Sequence, residues 1–337
     1  MSHDLPIRWG ILATGIIANR FADDLALLPD ARLMAVGSRG LQAASEFAHR
    51  HSIPRAYGSW DELATDPDVD VVYVATPHSA HHAATMVCLE AGKAVLCEKP
   101  FTLDRPSTED LVRVAADRGL FLMEAMWMLT NPTIRRVRKL VADGAIGPVT
   151  HVAADFGVSG PFAAGHRLRA PELGGGALLD LGVYPVTLAH ALLGPPATVL
   201  AWACLHPEGT DENTAVVLGY DAGAVATLHA GAAGDTAQRA VITGRDGRIE
   251  IDRFFWKPEA FTLITPDRTE RVEVAIRGNG MSYEAEEVMR CLRAGRTESP
   301  LVPLAGSLAV MSTLDTVRRQ IGVTYPPPER RSGRLSP

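Results

Sequence analysis

A strand, a glycine-containing turn and a helix open this chain, and that order restricts the fold more than any other feature. Ile7-Arg8-Trp9-Gly10-Ile11-Leu12 reads as a strand, Ala13-Thr14-Gly15 as a tight turn, and about Ile16 to Leu28 as a helix. Short apolar runs recur at Leu33-Met34-Ala35-Val36, Val69 to Ala75, Ala94-Val95-Leu96-Cys97 and Leu120-Phe121-Leu122-Met123. Between them, Ser59-Trp60-Asp61-Glu62 fits a capping box, and Ala83, Ala84, Val87, Cys88 and Ala91 fall at helical spacing before Gly92 stops that helix. Strands alternating with helices imply βαβ units and a doubly wound parallel sheet, with the Val69–Ala75 run buried on both faces.

The second half changes character. Asn131-Pro132 is a cap followed by proline at the first helical position, and Gly144 closes that helix. Strand-like runs then follow on short connections: Val149 to Phe156, Val199 to Leu205, Thr214 to Gly219, Val225 to Ala230 and Val241 to Thr243. Gly223 and Asp246-Gly247 lie between runs, as hairpins require. The expected fold is α/β: a parallel doubly wound domain over residues 1–126, then an α+β domain over 127–325 with a large, mainly antiparallel open sheet. Helices are expected at about Asp180 to Leu193, Ser282 to Arg293 and Leu304 to Ile321, and residues 326–337 read as a disordered tail.

The 337 residues suffice for two domains. Lys and Arg number 33 against 39 Asp and Glu, a formal charge of -6, which argues against nucleic acid or a membrane surface as partner. Cys88, Cys97, Cys204 and Cys291 are widely spaced, which fits reduced thiols better than a disulfide framework or a zinc site. The N-terminus shows no basic region followed by an apolar one, and the most apolar stretch, Gly174 to Gly194, contains Asp180 and His190. The expected location is cytoplasmic.

Gly10-Ile11-Leu12-Ala13-Thr14-Gly15-Ile16-Ile17-Ala18 has the position and spacing of a dinucleotide-binding turn, where backbone approaches a pyrophosphate and helix N–H groups receive it. Ala13 stands where the first glycine belongs, with Gly15 and Ala18 at the other two positions, and an ordinary strand–helix turn fits the same residues. After the second strand the chain reads Gly37-Ser38-Arg39, without the acid that would accept from a ribose 2′-hydroxyl. A hydroxyl beside a guanidinium suits a 2′-phosphate, so NADP is expected over NAD, although a solvated arginine at a helix start also fits.

Glu98-Lys99-Pro100 follows a buried strand at the carboxyl edge where doubly wound sheets place ligands. Lys99 is either aimed into that crevice or a surface lysine. In Gly174-Gly175-Gly176-Ala177-Leu178-Leu179-Asp180-Leu181-Gly182-Val183-Tyr184, Asp180 and Tyr184 are four apart and share a helix face. A carboxylate can orient the phenol and a nearby cation can lower its pKa; a capping Asp and a packed aromatic fit the same spacing.

These segments, with Phe121 to Trp127, Gly280-Met281-Ser282-Tyr283-Glu284-Ala285, Glu298-Ser299-Pro300 and Pro303-Leu304, resemble the glucose–fructose oxidoreductase/inositol dehydrogenase/rhizopine-catabolism family from Ile7 to about Pro326. The resemblance implies a Rossmann domain and an open-sheet domain that forms a homodimer or a higher oligomer. It further implies a hydride-transferring enzyme for a sugar, cyclitol or cyclic trans-diol, with no metal. It places Lys99 against nicotinamide and substrate, Asp180 as its partner and Tyr184 as general acid/base. Thr76-Pro77-His78 and His81 resemble the nicotinamide-side loop, with Glu98 near the nicotinamide ribose. Arg167 and Arg169 are candidates for substrate hydroxyls or a carboxylate, or else solvated arginines. Trp127 and Trp256 are candidate pocket walls or core. Relatives often carry an arginine shortly after the Trp127 position, whereas this chain reads Met128-Leu129-Thr130-Asn131. Two rivals remain: a redox-neutral enzyme that cleaves glycosides with retained cofactor, and a nucleotide-binding regulator without turnover.

Overall fold

Five apolar runs of four to seven residues and the short edge segment Arg55–Tyr57 become the six strands of a parallel sheet. They are β1 (Ile7–Leu12), β2 (Ala31–Gly37), β3 (Arg55–Tyr57), β4 (Val71–Val74), β5 (Ala94–Glu98) and β6 (Leu122–Ala125). The structure is a computed structural model and describes residues 5–326, so the expected tail lies outside them apart from Pro326. The strand order β3-β2-β1-β4-β5-β6 reverses between β1 and β4, which opens a crevice at the carboxyl ends of those strands.

Helices cover both faces. α1 (Ile16–Leu25) and α2 (Leu41–His51) place Phe21 and Phe47 against Trp9, Ile11 and Tyr73. On the other face, α3 (Trp60–Ala64), α4 (His81–Glu90) and α5 (Arg105–Arg118) place Leu63, Val87 and Leu111 against Leu12, Val72 and Val74. Every residue of β4 is buried, as its unbroken apolar run requires. The capping box holds: Glu62 N–H donates to Ser59 Oγ at 3.2 Å, and the Glu62 carboxylate accepts from Gly58 N–H at 3.0 Å.

α6 (Trp127–Thr130) and α7 (Pro132–Ala142) lead into the second sheet, with Asn131 Oδ1 accepting the N–H of Thr133 and Ile134 at the start of α7. Its eight strands are β7 (Val149–Gly157), β8 (Thr198–Leu205), β9 (Asp211–Gly219), β10 (Val225–Gly231), β11 (Ala240–Gly244), β12 (Arg248–Ile251), β13 (Ala260–Thr265) and β14 (Arg268–Glu273). All neighbours are antiparallel except β7 and β10. The inner face, including Val152, Phe156, Val216 and Leu228, joins the core shared with α8 (Val183–Leu193). The outer face leaves Leu200, Trp202, Val217 and Val225 exposed. The helix expected from Asp180 begins as one wide turn, Leu178–Gly182, before α8. The most apolar stretch, Pro171–Leu193, is largely buried inside the protein.

α9 (Ser282–Arg293) and α10 (Leu304–Ile321) bring the chain back to the first sheet. There the buried Asp24 of α1 accepts the N–H of Asn279, Met281 and Ser282 at 2.7–3.0 Å and the Asn279 side-chain amide at 2.9 Å. Asp24→Ala strands these donors and is expected to lower the unfolding free energy by about 3 kcal/mol, read from urea titration. A loss under about 1 kcal/mol contradicts this bracing role.

Candidate active site

β5 delivers Glu98 and Lys99 to the carboxyl edge of the parallel sheet, and the wide turn at 178–182 delivers Asp180 to the same place. Lys99 Nζ donates to Asp180 Oδ1 at 3.0 Å and to the Asp180 carbonyl at 2.6 Å. The other carboxylate oxygen lies 2.7 Å from Arg167 Nη1, and His78 Nε2 is 3.5 Å from Oδ1. Burial alone would raise the Asp180 pKa, yet Lys99, Arg167 and His78 overrule it and hold the carboxyl well below its usual range.

Tyr184, in the first turn of α8, is buried and accepts a hydrogen bond from Trp127 Nε1 at 2.6 Å. Lys99 Nζ stands 4.9 Å from the centre of its ring. Phe156 stacks on Trp256 at 3.5 Å, and that pair backs the Tyr184 ring. The expected lowering of the phenol's pKa by Lys99 is not what the structure has. Burial, then Glu98, push it well above its ordinary value, because the ammonium is already matched by Asp180.

At the nucleotide end, Ala13 adopts φ +92°, the left-handed geometry for which glycine is usually used. Gly15 precedes α1 with no side-chain cap, and a Cβ there would meet nothing within 4 Å. Thr14 is half-buried, Ile17 packs against the core and Ile16 is 77% exposed, so the uncapped helix start faces open space. Ser38 and Arg39 follow β2, and Arg39 is exposed with no hydrogen bond or ion pair among the described residues. An uncapped helix N-terminus beside a free guanidinium fits a dinucleotide carrying phosphate.

Two expected contacts take other roles. Gly10 is buried, where a Cβ would lie 3.1 Å from Val69 and 3.2 Å from Leu63, so its missing side chain serves packing beneath α3. His81 is also fully buried, its two ring nitrogens against the carbonyls of Pro100 and Thr76 at 2.8 and 2.9 Å. It sits between the Thr76 loop and the Lys99 loop, and burial lowers its pKa to about 3, so the neutral ring donates its one N–H to one of these carbonyls. The Thr76 hydroxyl is buried without a partner, and Pro77 is exposed beside it.

Residues 7–126 match the model of an oxidoreductase family with an NAD-binding Rossmann fold, and residues 134–250 match the GFO/IDH/MocA C-terminal domain. The chain is 38% identical over 330 residues to the trans-1,2-dihydrobenzene-1,2-diol dehydrogenase of Xenopus laevis, covering 95% of this chain and 99% of that one. It belongs to the GFO/IDH/MocA oxidoreductase family. Among solved structures it is similar to a 3-ketoreductase from Actinomadura kijaniata in complex with NADP and TDP-benzene, with TM-score 0.85, 30% identity and coverage of 94% and 98%. It is also similar to an aldose–aldose oxidoreductase from Caulobacter crescentus complexed with glycerol, with TM-score 0.85, 26% identity and coverage of 94% and 97%.

Within this family member, Arg169 turns away from Asp180. It pairs with Glu208 at 2.7 Å and donates to the Phe162 carbonyl at 2.8 Å, so only Arg167 of the two candidates reaches the site. Met128 and Leu129 are buried, and Asn131 is spent on capping α7.

Glu284 of α9 was not legible as a site residue. It is wholly buried, neither carboxyl oxygen has a hydrogen-bond partner, and it lies near Glu98, which accepts from the Tyr73 hydroxyl. Burial, then Glu98, push its pKa well up, which keeps it neutral. A carboxyl raised in the folded state contributes stability below its unfolded pKa and loses it as pH rises through the folded one. Glu284→Gln is therefore expected to gain melting temperature over wild type, by more at about pH 8 than at about pH 5. An identical difference at both pH values contradicts a neutral Glu284.

Proposed function

We propose that this chain is an NADP-dependent oxidoreductase acting on a secondary alcohol or ketone of a sugar, cyclitol or cyclic trans-diol. The observation that carries the proposal is the meeting of Lys99, Asp180 and Tyr184 at the crevice edge, with Lys99 bonded to Asp180 and lying against the Tyr184 ring. In reduction the protonated Tyr184 phenol gives its proton to the carbonyl oxygen, and in oxidation its phenolate, which forms as pH rises, takes the hydroxyl proton of the substrate. Lys99 donates toward the same substrate oxygen, and Asp180 holds the ammonium aimed. The nicotinamide, when bound, supplies the hydride acceptor and donor.

The turn at Ala13, Thr14 and Gly15, with Ile16 and Ile17, holds the pyrophosphate side, and Ser38 and Arg39 hold a 2′-phosphate. Thr76, Pro77, His78 and Glu98 line the nicotinamide side. Trp127, Trp256 and Arg167 bound the substrate pocket. The names of the relatives support this class: a cyclic diol dehydrogenase, a ketoreductase seen with NADP and an aldose oxidoreductase. Residues 1–126 serve the cofactor and 127–325 the substrate. The exposed apolar face with Leu200, Trp202, Val217 and Val225 is where a second copy docks, in the cytoplasm.

The test follows reduced-nicotinamide absorbance with NADP and NAD across D-xylose, D-glucose, myo-inositol and trans-1,2-dihydrobenzene-1,2-diol. At least one compound is expected to reduce NADP. Tyr184→Phe is expected to lower kcat by about 10²- to 10⁴-fold. Arg39→Ala is expected to weaken NADP by on the order of tenfold while leaving NAD unchanged. Near-normal turnover of Tyr184→Phe, or NAD binding as tightly as NADP in wild type, contradicts the proposal.

A further inference from the structure

The turn that carries Asp180 is held from outside the site. Its first N–H, that of Leu178, donates to Asp211 Oδ2 at 2.6 Å, and the Thr214 hydroxyl donates to the same oxygen at 2.7 Å. Asp211, the first residue of β9, is completely buried, and its other oxygen has no hydrogen-bond partner. That oxygen faces Gly176, at φ +115°, so closely that a Cβ there would collide with it. Next to it, the Tyr325 hydroxyl donates to the Gly175 carbonyl at 2.6 Å. The neighbouring Thr210 hydroxyl donates to the Arg169 carbonyl at 2.9 Å, which braces the loop that presents Arg167 to the same Asp180.

Each glycine of the run is thus seated against a different wall. Gly174 meets Leu103 and His78, Gly175 meets the Arg167 and Ala170 backbone, and Gly176 meets Asp211. A glycine run left free would let Asp180 wander, because glycine has the largest backbone freedom to lose. We propose that Asp211, with Tyr325 beside it, is a positioning residue that sets where Asp180 stands and hence how Lys99 is aimed. Its effect on turnover rests on the catalytic reading given above, whereas its effect on Lys99 does not. Burial, the largest influence on Asp211, raises its pKa, and an amide of the same shape still accepts from Leu178.

The test compares Asp211→Ala, Asp211→Asn and Tyr325→Phe with wild type. The first readout is the rate at which acetic anhydride acetylates Lys99, measured by peptide mass spectrometry. Asp211→Ala is expected to speed Lys99 acetylation about tenfold, the equivalent of one charge-assisted hydrogen bond lost. Asp211→Asn is expected to restore the slow rate, and Tyr325→Phe, which removes one hydroxyl, to fall between. The second readout is turnover of NADP with trans-1,2-dihydrobenzene-1,2-diol, where Asp211→Ala is expected to lower kcat by up to about 10²-fold with NADP affinity unchanged. Unchanged Lys99 acetylation in folded Asp211→Ala overturns the proposal, as does a parallel loss of NADP affinity and kcat. Should Asp211→Ala fail to fold, unchanged acetylation in Tyr325→Phe overturns it instead. Faster acetylation alongside near-normal turnover of Tyr184→Phe leaves the positioning role standing and removes the catalytic reading.

Discussion

A carboxylate cannot stay ionised in the interior without partners, and the site is organised around meeting that demand for Asp180. The partners come from separate parts of the chain: Lys99 from the end of β5, Arg167 from the loop before the glycine run, and His78 from the loop after β4. Removing any one leaves a buried charge short of compensation, so the two sheets are bound together where the crevice opens. The same pairing explains the state of Tyr184. Its ring lies beside an ammonium whose charge is already matched, and the phenol is left with burial and carboxylate neighbours that favour its protonated form.

Around that pair the fold adds rigid supports. Glu124, at the end of β6, accepts from Phe101 N–H at 3.1 Å and from the Ser307 hydroxyl at 2.5 Å, tying the Lys99 loop to α10. Burial raises its pKa to about 7. His81 sits between the loops on either side of α4's start, and Asp24 joins α1 to α9. A set of groups that must act on one carbon gains most from such supports, since small misplacements are costly in rate.

Much of this was legible in the residues. β1, α9 and α10 run between the residues read from periodicity and caps, and the parallel sheet follows from the alternation of strands and helices. Less visible were β12 and β14, whose charged residues, such as Arg248, Glu250, Arg268 and Glu270, obscure the apolar alternation on a half-solvated sheet, and the short uncharged β13 between them was missed as well. α2 and α5 were also missed, because their polar faces dilute the helical pattern. Lys99, Asp180 and Tyr184 were found through motif and spacing. Asp211, Tyr325 and Glu284 were not, since each reaches the site across tens of residues of sequence. Gly10, His81 and Arg169 show the opposite limit: residue type suggested a ligand, and packing or pairing gave another use.

The claim that the Lys99–Asp180 pair governs the phenol is tested most directly by the pH dependence of kcat/KM in wild type and in Asp180→Asn, followed in the direction of alcohol oxidation. That profile reports the free enzyme's base. Taking away the Asp180 charge removes an influence that raises the Tyr184 pKa and leaves the Lys99 ammonium unmatched beside the ring. The account predicts that the ascending limb, on which activity rises as Tyr184 loses its proton, moves to lower pH in the variant. A limb that stays in place, or moves to higher pH, would contradict it.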